Sequence, residues 1–208
     1  MKYNKKYLEP YALLTLIECF GYKLEDILDQ DVECPDWQSD KLDLGIEVTE
    51  AKNPMDGELD FIIDKYFNKG LSGRKIQNAV KKAHPKYGCL FRHKRNISYC
   101  TVPISYSDEI NKIAKAITDK IEKLNDNYKV FKNNWLYVFA NIGLYCEDIP
   151  KILSLINTDG KEIQYDKIFI NVTDKILVVN KNGTIEEVQV DSKTLKELKA
   201  KALKNKKP

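Results

Sequence analysis

Residues 34–52, CPDWQSDKLDLGIEVTEAK, organise the rest of this chain. We interpret Pro35-Asp36 as part of a short strand end and Leu44–Glu50 as the strand that follows it after a turn. Asp36 precedes Glu47 by eleven residues, a spacing that suits two strands of a tight β-hairpin. The stretch therefore predicts two carboxylates on neighbouring strands.

The two predicted strands are separated by a polar turn over residues 38–43. Successive side chains of a strand point to opposite faces. In the second strand Glu47 therefore shares one face with Gly45 and Thr49, while apolar residues occupy the other face. An ionised carboxylate in such a strand is unfavourable unless something pairs with it.

Two arrangements would satisfy Glu47. A divalent cation shared with Asp36 is one, because hard cations such as Mg²⁺ bind oxygen ligands. A strand whose polar face is open to water is the other, and both carboxylates are then ordinary surface groups. The residues alone leave both arrangements open.

Composition limits the class of protein. The 34 basic and 31 acidic residues leave a net charge of +3, so overall charge does not mark a nucleic-acid binder. The five cysteines are irregularly spaced, which favours free thiols over a disulfide framework or a zinc site. The chain contains no P-loop and no GxSxG motif. No apolar stretch approaches the roughly 20 residues of a membrane span, so we expect a cytoplasmic protein without a membrane partner.

Residues 9–20 predict an amphipathic helix that places Glu9 on its apolar side. Glu9 would then point towards a sheet, or it would simply favour the helix dipole at the N-terminus. Both roles remain open. The predicted apolar stripe consists of Leu13, Leu16, Ile17 and Phe20.

Residues 108–124 predict the longest helix, with Ser107 or Asp108 as its N-cap. Lys120 lies on the edge of the apolar stripe of this helix, and Lys123 lies further round, towards solvent. Lys120 thus borders the apolar face of a helix that would lie across the sheet.

The pattern as a whole predicts an α/β fold with a central mixed β-sheet flanked by helices. We predict a single domain over residues 1–208, with a core of residues 9–56 and 108–190 and an insertion at about 57–107. The later elements are a continuous apolar strand at 135–140, a β-meander at 167–172, 175–179 and 184–190, and a basic helix within 192–208 that docks through Leu195, Leu198 and Leu203.

Pro35-Asp36 followed by Gly45-Ile46-Glu47-Val48-Thr49 resembles the motif of the PD-(D/E)XK nuclease superfamily, which has the restriction-endonuclease-like fold. The superfamily core is a helix, a three-strand meander with the motif, a second helix and a further strand. Residues 9–56 and 108–140 follow that order. The resemblance implies that Asp36 and Glu47 bind Mg²⁺ or Mn²⁺ and that Glu9 assists.

This chain departs from the motif at its last residue, because Thr49 stands where the superfamily has a lysine. Divergent members supply that lysine from elsewhere, commonly the second core helix, which makes Lys120 the best candidate. Lys52 is closer in sequence, but strand alternation directs it away from Glu47. Thr49 could itself bind a metal-bound water.

Three functions follow from these residues. The first, which the resemblance implies, is a metal-dependent nuclease acting on nucleic acid, with DNA favoured over RNA and a homodimer left open. The second is a catalytically inactive nuclease-fold protein that binds nucleic acid or another protein, and the third is an unrelated α/β protein with Asp36 and Glu47 on its surface. Basic clusters that could hold a phosphate backbone are Arg74–Lys75, Lys81–Lys82, Lys86 and Arg92–Arg95.

Overall fold

The structure is a computed structural model that describes most of the chain. The described residues are 7–24, 27–29, 35–52, 65, 73–83, 90–94, 97–101, 105–140, 142–156, 158, 160, 162–172 and 175–204. Their helices are α1 (Leu8–Phe20), α2 (Gly73–Ala83), α3 (Tyr106–Asp126), α4 (Ile149–Ser154) and α5 (Ser192–Lys204). Their strands are β1 (Leu28–Asp29), β2 (Trp37–Ser39), β3 (Leu44–Glu50), β4 (Leu90–Lys94), β5 (Ile97–Thr101), β6 (Asn133–Phe139), β7 (Lys167–Asn171), β8 (Lys175–Asn180) and β9 (Ile185–Gln189).

The described residues fall into two compact units, with boundaries at residues 51/52 and 108/109. The unit Lys52–Asp108 contains α2 and the antiparallel hairpin β4–β5. Its helix α2 buries Ile76 and Val80 and exposes basic side chains. The exposed basic residues are Arg74, Lys75, Lys81 and Lys82. The single domain with an insertion at 57–107 stays a prediction, and Lys86 and Arg95 of the predicted basic clusters lie outside the described residues.

The larger unit is built on a mixed sheet in the order β1-β2-β3-β6-β7-β8-β9. Strands β3, β6 and β7 are parallel, and the other neighbouring pairs are antiparallel. The connection from β3 to β6 must cross a face of the sheet because the two strands are parallel neighbours. Helix α3 lies in that connection, and strands β7 to β9 form the predicted meander.

Helices cover both faces of this sheet. Strand β6 shows the division, since Leu136 and Val138 belong to one buried cluster and Tyr137 and Phe139 to the other. The first cluster includes residues of α3 and α4, and the second includes residues of α1 and α5. The predicted α/β class, with a mixed sheet between helices, is confirmed. In the described parts of the chain, no helix is long and apolar enough to cross a membrane.

Helix α1 packs against the core partly through the predicted stripe, but its most buried residues differ from that stripe except at Leu16. It buries Tyr11, Ala12, Thr15 and Leu16, while Leu13, Ile17 and Phe20 are only half-buried. The helix is apolar around much of its circumference, so periodicity did not single out the face against the sheet. Thr15 is tolerated inside because its hydroxyl donates to the Tyr11 carbonyl oxygen at 2.7 Å.

Other predictions were wrong at element ends. The first hairpin strand starts after Asp36 rather than ending with it, and the turn covers residues 40–43. Helix α3 begins at Tyr106, and Ser105 accepts the Asp108 N–H at 3.1 Å, so Ser105 rather than Ser107 or Asp108 is its cap. In α5, Leu198 is buried but Leu203 is 44% exposed.

Candidate functional site

The β2–β3 hairpin places Asp36 across from Glu47. Trp37 pairs with Ile46 in this antiparallel ladder, so one further step along the register sets Asp36 opposite Glu47. Directly opposite residues have Cβ atoms about 5 Å apart. Asp36 Oδ2 accepts the Val48 N–H at 2.7 Å, which holds the aspartate against β3 although it lies just outside the ladder.

Gly45 allows the hairpin to close in this way. A Cβ atom at this position would lie 2.8 Å from Pro35 Cγ and 2.7 Å from Phe131 Cδ2. Both distances are shorter than side-chain carbons tolerate, so only glycine admits the two rings. The ring of Pro35 therefore rests on the backbone of β3, and the residue after it is Asp36.

Glu47 lies in the interior at 3% exposure. Its Oε1 atom accepts hydrogen bonds from the Lys120 ammonium group and from the Tyr128 hydroxyl, the latter at 3.2 Å. Its Oε2 atom is also buried, and no hydrogen-bond partner reaches it from the described residues. Such atoms are rare in folded proteins, because desolvation without a partner is unfavourable. The alternative of a solvated polar face is therefore wrong.

The pKa of Asp36 is shifted by its own burial and by the charged groups around it. Desolvation, and after it the nearby charge of Glu47, raises the pKa of Asp36 to about 7. Glu9 also raises that pKa, while the Val48 N–H and the Lys120 charge lower it. Three acidic side chains and one lysine thus act on one another here.

Glu9 reaches this region from the start of α1. The Trp37 indole N–H donates to the Glu9 carbonyl oxygen at 3.2 Å, which ties the first turn of α1 to β2. The structure therefore brings together four of the five predicted site residues, by contact or by charge: Glu9, Asp36, Glu47 and Lys120.

The remaining predicted residues are placed differently. Thr49 is half-buried near the end of β3, two residues beyond Glu47 and so on the same face of the strand. Lys123 is exposed on α3. Lys52 belongs to the other compact unit. Of the three lysines considered, Lys120 is the one that contacts Glu47.

Tyr128 was not singled out from the sequence. It follows the end of α3, where helical periodicity no longer holds, and packs against the core cluster beneath that helix. A signal was nevertheless present, because Ile117, Ile121, Leu124 and Tyr128 follow one another at steps of four, three and four. Extending the apolar stripe of α3 beyond the helix would have reached this residue.

The carboxylates were tested as ligands for a divalent cation. Within the described ranges, no three or more His, Cys, Asp and Glu side chains are grouped so as to hold a metal ion. Asp36 and Glu47 are thus two carboxylates without a third side chain of these types grouped with them in the described ranges. Mg²⁺ is commonly held by one or two carboxylates with water and substrate phosphate in the remaining positions. The buried Glu47 Oε2 atom, which has no partner among the described residues, fits such an ion.

Comparisons with family models, with curated proteins and with solved structures gave no match. A function is therefore inferred from the chemistry of the residues around Glu47.

Proposed function

We propose that this chain is a metal-dependent nuclease and a divergent member of the PD-(D/E)XK superfamily. One observation carries the proposal. Glu47 is buried beside a second carboxylate, its Oε1 atom is held by Lys120 and Tyr128, and its Oε2 atom has no partner among the described residues. The two carboxylates repel each other more than the single charge of Lys120 offsets, and a bound cation would relieve that repulsion.

Asp36 and Glu47 would hold Mg²⁺ or Mn²⁺. When bound, the ion would supply an activated water and would stabilise charge on a phosphate group. The chain prepares this site by fixing Asp36 through the Val48 N–H and by shielding Glu47 from water. Shielding strengthens the attraction between a carboxylate and a cation, because the local dielectric constant is lower than that of water.

Lys120 would take the role of the lysine that Thr49 replaces. It reaches Glu47 from α3, and its side chain retains 16% exposure, so it borders both the carboxylate and the surface. An ammonium group at this position would stabilise the negative charge that develops on a cleaved phosphate.

The order of elements agrees with the superfamily core named above. Helix α1 precedes the antiparallel strands β1 to β3, and α3 then leads to β6, which runs parallel to β3. The candidate carboxylates lie on the third strand and immediately before the second. The restriction-endonuclease-like assignment is part of the proposal and rests on this order.

Nucleic acid is the proposed substrate, with DNA preferred over RNA. Exposed lysine and arginine side chains on α2 and lysines on α5 offer positive charge for a phosphate backbone. If they contact phosphates, affinity should fall steeply as the salt concentration rises. The homodimer stays a prediction.

The direct test is cleavage of single- and double-stranded DNA and RNA with Mg²⁺ or Mn²⁺. We expect cleavage by the wild type, none by Glu47→Ala, and a loss of about 100-fold or more in Lys120→Ala. Lys123→Ala is the matched control, since Lys123 is exposed on the same helix, and it should cleave like the wild type. Equal activity in Lys120→Ala and Lys123→Ala would refute the role of Lys120.

The second candidate is an inactive nuclease-fold protein that binds nucleic acid, and Thr49 at the position of the motif lysine favours it. It predicts salt-dependent binding with the substrate intact under every metal condition. A Thr49→Lys variant in the Lys120→Ala background separates the two. Restored cleavage supports the nuclease, because Thr49 lies on the same face of β3 as Glu47.

A further inference from the structure

The loop between α3 and β6 carries Tyr128 and is held at several points. The Phe131 N–H donates to Asn134 Oδ1 at 3.0 Å, and the Asn134 amide donates back to the Phe131 carbonyl oxygen at 2.7 Å. The Lys132 N–H donates to Asp43 Oδ1 at 2.9 Å, which joins the loop to the β2–β3 turn. The loop that carries Tyr128 is therefore tied to the hairpin that carries Glu47.

The Tyr128 hydroxyl and the Lys120 ammonium group both donate to the same oxygen of Glu47. The terminal torsion of a glutamate is broad and soft, so one flexible lysine would leave the carboxylate free to turn. A second donor on a different element removes that freedom. The two carboxylate oxygens of Glu47 therefore differ. Oε1 accepts two hydrogen bonds, whereas Oε2 has no partner among the described residues.

We propose that Tyr128 is a positioning residue that turns the Glu47 carboxylate so that Oε2 is the oxygen offered to the divalent cation. This inference rests on the proposed function, because it assigns a metal-binding task to Glu47. The cation would then bind opposite the oxygen held by Lys120 and Tyr128, so the ammonium group and the ion need not compete for one atom. Groups that orient a metal ligand in this way strongly affect metal affinity.

Tyr165, which lies shortly before β7, offers a matched control. The Tyr165 hydroxyl donates to the Lys120 carbonyl oxygen at 3.2 Å, so it supports the backbone of α3 rather than the carboxylate. Tyr165 is 2% exposed. Tyr165→Phe removes a hydroxyl near the site and leaves in place both side-chain donors to Glu47, which are Lys120 and Tyr128.

The test compares Tyr128→Phe and Tyr165→Phe with the wild type by titration with Mn²⁺, followed by the electron paramagnetic resonance signal of free Mn²⁺. We expect Tyr128→Phe to weaken Mn²⁺ binding about tenfold, and Tyr165→Phe to bind like the wild type. In cleavage assays at subsaturating Mn²⁺, Tyr128→Phe should lower kcat and leave the KM for nucleic acid unchanged. Melting curves of both variants identify any loss of folding.

Wild-type Mn²⁺ affinity in Tyr128→Phe would overturn the proposal, whether or not the variant melts earlier, because Tyr128 would then be a structural residue only. A wild-type protein that neither binds Mn²⁺ nor cleaves any substrate would instead refute the proposed function itself. The two failures are told apart by the behaviour of the wild type.

Discussion

Two lysine–glutamate pairs that involve strands at different ends of the same sheet differ in how completely the glutamate is paired. Glu47 pairs with Lys120 near β2, and Glu187 pairs with Lys175 at 3.1 Å on the β8–β9 pair. Both oxygens of Glu187 have partners, because Gln189 also donates to Oε1 and the Cys146 thiol donates to Oε2. In Glu47 only Oε1 has partners among the described residues.

The acidic groups at the two places respond in opposite directions. The hydrogen bond from Lys175 lowers the pKa of Glu187, and the side chain remains 29% exposed. Burial and then the charge of Glu47 raise the pKa of Asp36 to about 7. A complete ion pair stabilises an ionised acid, whereas the Asp36–Glu47 pair has more negative charge than Lys120 alone offsets. This difference distinguishes a structural ion pair from a candidate cation site.

The largest expected effect is on the rate of cleavage, which should respond differently to substitution of the two glutamates. Glu47→Gln should lower the rate of cleavage by about 100-fold or more, since removing a group that governs transition-state charge has effects of that size. Glu187→Gln should leave cleavage within about twofold of the wild type. Both rates are measured with Mg²⁺ on the same substrate. Equal losses in the two variants would show that Glu47 is no more than a structural acid.

The next effect concerns stability and its dependence on pH. The folded-state pKa of Asp36 lies above its ordinary value, so the folded protein binds the extra proton and loses stability as the pH rises from about 4 to about 7. Asp36→Asn removes this loss, and we expect it to stabilise the protein at pH 8 by roughly 2–4 kcal/mol, where the lower figure allows for screening of a part-buried side chain by water. Below about pH 4 we expect no stabilisation. Urea unfolding with a chelator present measures both values.

For Glu187 we expect the opposite dependence of stability on pH. Its folded-state pKa is lowered, so the ionised form stabilises the fold above the ordinary pKa, and this contribution disappears as the pH falls through the folded-state value. Glu187→Gln should therefore destabilise the protein at pH 8, with no such effect in strong acid. A stabilising effect at pH 8 would contradict the comparison.

A smaller effect tests the packing that positions Asp36. Gly45→Ala should destabilise the protein by about 1–3 kcal/mol, because its Cβ would collide with Pro35 and Phe131. Gly143→Ala is the matched control, since a Cβ there meets nothing within 4 Å. Thermal unfolding of the two variants provides the measurement. Comparable melting temperatures would mean that the hairpin closes without the glycine.

The smallest effect comes from an exposed ion pair on the same helix as Lys120. Lys115 and Asp119 lie 3.0 Å apart with 70% and 50% side-chain exposure. Lys115→Ala should change the free energy of unfolding by no more than about 0.5 kcal/mol, because water screens such pairs. A change above 1 kcal/mol in urea unfolding would show that burial is not what separates the Lys120–Glu47 pair from surface pairs.

Much of the fold followed from local patterns. The alternating residues of Leu44–Glu50 correspond to β3, and the apolar run at 135–140 corresponds to β6. Apolar residues alternate in a strand with one buried face and form a continuous run in a strand with both faces buried. The stripe that predicted residues 108–124 corresponds to α3. Predictions were wrong where local signals compete, as at the cap of α3, where Ser105 and Ser107 are both suitable residues.

The candidate site was predictable only in part. Asp36 and Glu47 could be paired because one hairpin connects them, and Lys120 could be proposed because it borders an apolar stripe. The burial of Glu47 was left open by the sequence, since a strand face alternates in the same way whether water or a helix covers it. Tyr128 was missed because it follows the helix whose periodicity pointed towards it.

The sequence by itself determined which residues alternate, where the hairpin lies and that two carboxylates face each other across it, because these depend on neighbours within about a dozen residues. Only the tertiary structure decided that Lys120, 73 residues from Glu47, and Tyr128, 81 residues from it, donate to one carboxylate oxygen. Contacts over such separations depend on how α3 and the loop after it pack on the sheet. That packing also left Glu47 Oε2 buried, without a partner among the described residues.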